Sequence, residues 1–171
     1  MSVEHASGLI LRTLPFTETS LIVRWLTPAW GRLSTVAKGA RRPRSPFRGK
    51  LDLFYEAAFT FHRSRHSTLH ILREVAVLQM HPAIREDYSR LSQVAYCSRW
   101  IERVTEEETP VPSLHALLRD LIETVSTHAA RPLWMLSFEL KLLVESGLAP
   151  DWHGTGLTSD AQELGRTLAD L

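Results

Sequence analysis

Along the first half of the chain, apolar positions recur with a period of two. Leu53, Tyr55, Ala57, Phe59 and Phe61 alternate with Phe54, Glu56, Ala58, Thr60 and His62. Successive side chains of a strand point to opposite faces, so this segment predicts a strand with one apolar face. Residues 8–13 predict an earlier strand ended by the Pro15 turn, residues 20–26 (Ser-Leu-Ile-Val-Arg-Trp-Leu) a second and residues 32–40 a third. Thr27-Pro28-Ala29-Trp30-Gly31 predicts a turn, with Pro28 fixing φ and Gly31 free to take a positive value. After a polar turn at 62–67, residues 68–77 predict a fifth strand with Leu69, Ile71, Arg73 and Val75 on one face. Five short strands without intervening helices predict an antiparallel barrel. One long loop fits an OB-type barrel, with an SH3-like barrel as the alternative.

Beyond His81-Pro82 the period becomes 3.6. Ile84, Tyr88, Leu91, Ala95, Ile101 and Val104 predict one face of a helix that opens at Pro82. Leu114, Leu117, Leu118, Leu121, Ile122 and Val125 predict a second helix after the Pro110-Val111-Pro112 break. Leu133, Leu136, Leu140, Leu143 and Val144 predict a third, closed by Gly147 with Pro150 beyond. Ser159 followed by Gln162 predicts a capping box for a short last helix carrying Leu164 and Leu168. Each helix has one apolar stripe and must bury it against a neighbour or the barrel. The expected organisation is α+β, with an OB-fold barrel domain at 1–80 and an all-helical domain at 81–171.

Composition agrees with a folded protein: 44% of the 171 residues are apolar and 23% charged. Cys97 is the single cysteine, which excludes an intrachain disulfide and a multi-cysteine zinc site. The N-terminus lacks the pattern of a signal peptide, and no apolar run is long enough to span a membrane. These features predict a cytoplasmic protein with no membrane partner. The net charge of +1 conceals an asymmetry: residues 1–80 carry 12 basic and 5 acidic residues, net +7, and residues 81–171 carry 8 and 14, net −6. Such a split predicts a polyanion-facing module joined to one with another role.

Most of the excess lies in one segment. From Arg32 to Leu51 there are seven cations (Arg32, Lys38, Arg41, Arg42, Arg44, Arg48 and Lys50) and no acid. Pro43 and Pro46 oppose helix and predict an extended loop, in which these charges would track successive phosphates. Phe47 within the run and Trp30 at the preceding turn are candidate stacking faces for an unpaired base. The alternatives are a solvated loop, or one saturated by the acidic helical half. No residue type in the run suits base-edge reading, so binding with little sequence preference is expected.

The same segments carry a resemblance. Gly8-Leu9-Ile10-Leu11-Arg12-Thr13, Glu18-Thr19-Ser20-Leu21-Ile22-Val23 and the stretch from Thr27 to Pro43, with its Lys38-Gly39-Ala40-Arg41-Arg42 core, resemble the start of RecO, a bacterial DNA repair and recombination mediator family. The similarity continues through Leu51-Asp52-Leu53-Phe54, Leu72-Arg73-Glu74-Val75 and the segment from Phe138 to Asp151, covering roughly residues 8–151. The resemblance implies an N-terminal OB-fold and a C-terminal helical domain. It further implies binding of single- and double-stranded DNA, annealing of complementary strands and loading of the recombinase in the RecF pathway. RecR and single-strand-binding protein are the implied protein partners. Lys38, Arg41, Arg42 and Arg44 match the family's basic motif, and the DNA role carries to them and their loop neighbours. Many members place four cysteines after the Ala-Pro-Asp segment; here Trp152-His153-Gly154 comes next, so neither zinc nor another cofactor is expected. The chain ends at Leu171, short of the helices that usually complete the family's second domain, where the contact with the single-strand-binding protein is expected.

Other candidates are weaker. His62, His66 and His70 are spaced by four but fall across a turn between strands, which disfavours a metal site. Glu106-Glu107-Glu108 reads as a solvated interhelix loop or a dock for a basic partner. Cys97 beside Trp100 reads as a packed core residue, and neither a nucleophile elbow nor a phosphate loop is present. The residues support no enzyme. The rival readings are a general OB-type RNA binder and an adaptor docking acidic protein tails through the basic loop.

Overall fold

The computed structural model describes residues 3–148, so the short last helix expected near Ser159 lies outside the described residues. Five strands, β1 (Val3–Pro15), β2 (Leu21–Thr27), β3 (Gly31–Ala37), β4 (Glu56–His62) and β5 (Leu69–Gln79), form a closed barrel in the order β1-β2-β3-β5-β4. This is the OB-type arrangement: four pairings are antiparallel, and β5 returns parallel to β3. β1 serves two neighbours, pairing with β4 from Val3 to Leu9 and with β2 from Leu9 to Pro15. A bulge between Ile10 and Arg12 sits where the strand changes partner.

The strands depart from the pattern where the backbone is irregular. β4 begins only at Glu56, because Phe54 takes φ 63° and its N–H donates to the Ile10 carbonyl at 2.8 Å. In β5 the pairing skips Arg73, so His70 and Leu72 are buried and then Val75. The expected face of Leu69, Ile71, Arg73 and Val75 is therefore corrected by a bulge, which shifts the alternation by one.

Two apolar clusters meet at the barrel wall. Inside the barrel, Trp25 stacks on Phe59 with ring centroids 4.0 Å apart and donates its indole N–H to Thr35 Oγ1 at 2.9 Å. Outside it, Leu9, Leu11, Leu26 and Phe54 pack with Ile84, Val94, Ile101, Leu118, Ile122 and Phe138 of the helices. Ile10 points inward while Leu9 and Leu11 point to the helices, which is why residues 9–11 read as an unbroken apolar run.

The helices are α1 (Pro82–Glu86), α2 (Tyr88–Val104), α3 (Pro112–Thr127) and α4 (Pro132–Glu145). The single helix expected from Pro82 to Val104 is broken at Asp87, whose extended backbone lets its carboxylate accept from the Ser89 and Arg90 N–H groups at 2.8 and 3.3 Å. The break rephases the helix beyond it, and Tyr88 is 84% exposed instead of buried. α4 is corrected too. It buries Ser137, Phe138 and Leu142 and leaves Leu136, Leu143 and Val144 exposed, since a helix apolar on most sides carries no phase in its sequence. Cys97 is fully buried and its thiol is pushed up to about 12 by burial, which removes it as a nucleophile at neutral pH.

Charged groups tie the helices to the barrel. Arg12 and Arg24, directly paired across β1 and β2, both reach Glu102 of α2, at 2.8 and 3.4 Å. Segment 105–109 lies against the start of β3: the Glu108 N–H donates to the Arg32 carbonyl at 2.9 Å, and Arg32 Nη2 donates to the Thr105 carbonyl at 2.8 Å. The Glu108 carboxylate meets Arg63 Nη2 at 2.6 Å and His70 Nε2 at 3.3 Å. The reading of Glu106-Glu107-Glu108 as a solvated loop is thus corrected for Glu108, which pairs within the chain.

His70, His81 and His115 are buried, and burial is the main cause that lowers the pKa of each below the ordinary 6.5; around His70, Glu108 opposes the shift and Arg63 adds to it. The unfolded chain therefore takes up protons near pH 6.5 that the folded chain accepts only at lower pH. Stability contributed by the neutral imidazoles is complete above the unfolded value and declines as pH falls from there towards the folded values. Urea unfolding midpoints are expected to be lower at pH 5.5 than at pH 7.5; an equal or higher midpoint at pH 5.5 would contradict this assignment.

Candidate nucleic-acid interface

The basic segment connects β3 to β4 and leaves the barrel at Lys38. It is not extended, as its prolines suggested, but wound into consecutive turns. Backbone N–H groups of Ala40, Arg42, Ser45, Arg48 and Lys50 donate to the carbonyls three residues earlier, at 3.0 to 3.3 Å. Pro43 and Pro46 have no N–H to give, and both fall at positions where this series of turns requires none. Gly39 takes a left-handed φ of 69°, which turns the chain back as it leaves the sheet. Phe47 anchors the loop: its ring joins the barrel core and is 6% exposed. The expected stacking role of Phe47 is corrected on that ground: the ring borders a cavity under the loop, but with 6% of the residue exposed it offers no open face on which a base could lie.

With Phe47 turned inward, the cations around it face solvent. Lys38, Arg41, Arg42, Arg44 and Arg48 are exposed and Lys50 is half-buried. Among the described residues, none of these six lies within ion-pair distance of a carboxylate. Two of them reach only backbone carbonyls, Arg48 to Pro43 at 3.3 Å and Arg41 to Thr17 at 3.5 Å. Two acids of the helical half are engaged elsewhere, Glu102 with Arg12 and Arg24, and Glu108 with Arg63 and His70. The described helical half therefore does not saturate the loop.

Two sequence candidates stand apart from this ridge. β2 and β3 form a hairpin in which Leu21 opposes Ala37 and Thr27 opposes Gly31. Arg32 and Trp30 thus sit at the turn end of the hairpin, and Lys38 lies past the other end, about 20 Å away at roughly 3.3 Å per residue. Arg32 donates to Thr105 of the helical half, and Trp30 is half-buried beneath the Arg63 guanidinium, 5.2 Å from its ring centroid, with Phe61 edge-on. Arg32 is corrected to a residue of the barrel–helix junction and Trp30 to a covered ring beside it. His62, His66 and His70 do not converge either; among the described residues no three His, Cys, Asp or Glu side chains are placed to share a metal ion.

Sequence reasoning missed the loop on the other side of the ridge. Residues 16–20 join β1 to β2, and the Arg41 N–H donates to the Thr19 carbonyl at 2.9 Å, stitching the two loops together. Between them opens a cavity of about 370 Å³ lined by Phe16, Thr17, Thr19, Ser20, Val36, Lys38, Gly39 and Arg42. A second, of about 440 Å³, lies beneath the far end of the basic loop and includes Lys50, Arg73 and His5. The available signal was an aromatic residue, Phe16, directly after the strand-ending Pro15 and outside any alternation.

An OB-type barrel whose loop 38–50 carries cations free of carboxylates among the described residues, tied to helices by partly buried ion pairs, defines the class: a barrel-plus-helix protein with a basic loop. Two family models divide the chain between them, "Recombination protein O N terminal" over residues 1–81 and "Recombination protein O C terminal" over residues 85–167. The chain belongs to the RecO family of DNA repair proteins. It is 30% identical to DNA repair protein RecO of Exiguobacterium sibiricum over 89% of this chain and 60% of the relative. It is 29% identical to that of Myxococcus xanthus over 90% of this chain and 63% of the relative, and 31% identical to that of an Anaeromyxobacter species over 84% and 56%. The chain thus spans about 60% of the length of such relatives. Among the described residues no helix is long and apolar enough to cross a membrane.

Proposed function

We propose that this chain binds single-stranded, and also double-stranded, DNA through loop 38–50 and uses that loop to anneal complementary strands. Residues 1–80 would serve as the DNA-binding domain and 81–171 as the helical domain. Lys38, Arg41, Arg42, Arg44, Arg48 and Lys50 carry the role. The observation behind it is that all six are free of carboxylates among the described residues, while Glu102 and Glu108 of the helical half are spent on other cations. An unpaired ridge of this kind neutralises phosphates and releases their counterions. Two strands held on one cationic surface repel each other less, and their bases remain available for pairing. Family membership supports a repair role in the cytoplasm, in which the annealed or bound strand is handed to the recombinase of the RecF pathway with RecR and single-strand-binding protein as partners.

The test is oligonucleotide affinity against salt, together with annealing of two labelled complementary strands. Five neutralised phosphates, one for each exposed cation of the loop, predict a log–log slope of about −3.5 on single strands. Annealing faster than the protein-free rate is expected. A slope near zero, or a clear preference for RNA over matched DNA, would refute this reading.

A further inference from the structure

We propose that Phe16 is the stacking face for one unpaired nucleobase of a single strand whose flanking phosphates lie on Lys38 and Arg42. This rests on the function proposed above and adds to it the site where a base, as distinct from the backbone, is held.

Phe16 is 52% exposed, and it lies on a loop that the structure fixes firmly. The N–H groups of Phe16 and Thr17 donate to the Ser20 carbonyl at 3.1 and 3.4 Å, and the Ser20 N–H donates to Thr17 Oγ1 at 3.1 Å. The Gly39 N–H donates to Ser20 Oγ at 3.4 Å, and the Arg41 N–H to the Thr19 carbonyl at 2.9 Å. An aromatic ring half in water on a braced loop contributes little to the fold, yet its carrier is held in place, as a preorganised contact surface requires.

The cavity beside the ring supports an occupant of defined chemistry. Its lining combines the apolar Phe16 and Val36 with the hydroxyls of Thr17 and Thr19 and the cations Lys38 and Arg42, and it includes no carboxylate. A flat π-face beside two cations fits a ligand that offers an aromatic ring with anionic groups on either side, which is what an unpaired nucleotide presents. A base inside a duplex has both faces covered by its neighbours and cannot stack there. Any base can stack on an aromatic ring, so the contact adds affinity with little sequence preference. The two aromatic rings of the basic segment and its preceding turn are less open: Phe47 is 6% exposed, and Trp30 is half-buried with the Arg63 guanidinium over its ring.

The test compares the parent chain with Phe16→Ala, Phe16→Leu and Phe16→Tyr, using a thymidine oligonucleotide and an abasic oligonucleotide with the same number of phosphates. A stacking contact predicts that Phe16→Ala and Phe16→Leu bind the thymidine strand about tenfold more weakly at fixed salt. Their salt slope should stay that of the parent, because no phosphate contact is removed. Phe16→Tyr should keep the parent affinity, and all variants should bind the abasic strand like the parent. Equal affinity of parent and Phe16→Ala for the thymidine strand, while charge reversal at Arg41 and Arg42 still weakens binding about 100-fold, would overturn this inference and leave the proposed function standing. Equal weakening on both strands would mark Phe16 as structural and also overturn it. No binding of either strand by the parent would overturn both.

Discussion

Arg41→Glu combined with Arg42→Glu is expected to weaken single-stranded DNA binding about 100-fold at 0.1 M salt. Each phosphate neutralised on a single strand contributes about 0.7 log units of affinity for each tenfold dilution of salt below 1 M, so losing two contacts costs about 25-fold at 0.1 M, and two carboxylates in their place repel the strand further. The salt slope should become shallower, from about −3.5 to about −2. Annealing should fall towards the protein-free rate, because the loop no longer screens one strand from the other. Both side chains are exposed and form no ion pair among the described residues, so the fold should be unaffected and the urea midpoint unchanged. Arg65→Glu is the control for net charge: this exposed residue lies two beyond Arg63 in the β4–β5 connection, outside loop 38–50, and its reversal should leave affinity nearly as it was. Affinity and slope equal to the parent in the double variant, or an equal loss in Arg65→Glu, would refute a role for the loop itself.

The strands were legible because a half-buried strand prints its burial directly as alternation, and where both faces are covered, as at Leu9, Ile10 and Leu11, it prints an unbroken apolar run. The bulges at Arg73 and Leu78 were not legible, since a skipped residue changes the partner and leaves the composition untouched. Asp87 was readable in principle, being a residue type that caps helices, but Ile84 and Leu91 continue the period across it and hide the break. In the candidate site, the exposed cations of residues 38–50 could be found because they cluster along the chain. Proximity along the chain groups Arg32 with them, and only the fold shows that it reaches Thr105. The same holds for Arg12 and Arg24, whose shared partner Glu102 is 90 and 78 residues distant. No spacing rule connects charges so far apart. Phe47 and Phe16 failed in opposite directions for one reason: an aromatic residue in a loop is either anchor or surface, and the choice depends on which neighbours close over it.

Gly31→Ala is expected to destabilise the protein by about 4 kcal/mol, near the upper end for a single substitution. Gly31 has a φ of +64°, in the left-handed region, where a Cβ costs roughly 1–2 kcal/mol by itself. The added methyl group would sit 1.8 Å from the Thr109 carbonyl oxygen and 2.6 Å from its carbon. Both are backbone atoms, so no side-chain rotation relieves the clash, and segment 105–109 must lift from β3. Lifting it breaks the Glu108 N–H bond to the Arg32 carbonyl and the Arg32 bond to the Thr105 carbonyl, and draws the Glu108 carboxylate away from Arg63 and His70. Each hydrogen bond contributes about 1 kcal/mol, and His70 would keep its burial without its carboxylate neighbour. Gly49→Ala separates the two costs. Gly49 has a similar φ of +71°, but a Cβ there meets nothing within 4 Å, so only the backbone penalty of roughly 1–2 kcal/mol applies. Urea unfolding of both variants reads the difference directly. A loss in Gly31→Ala no larger than in Gly49→Ala would mean that the barrel and the helices are not joined through segment 105–109. Because Lys38 lies beyond the opposite end of the β2–β3 hairpin, whatever fraction of Gly31→Ala remains folded should still bind the oligonucleotide with the parent salt slope. The junction would then govern how the two domains are held together, and the loop what they bind.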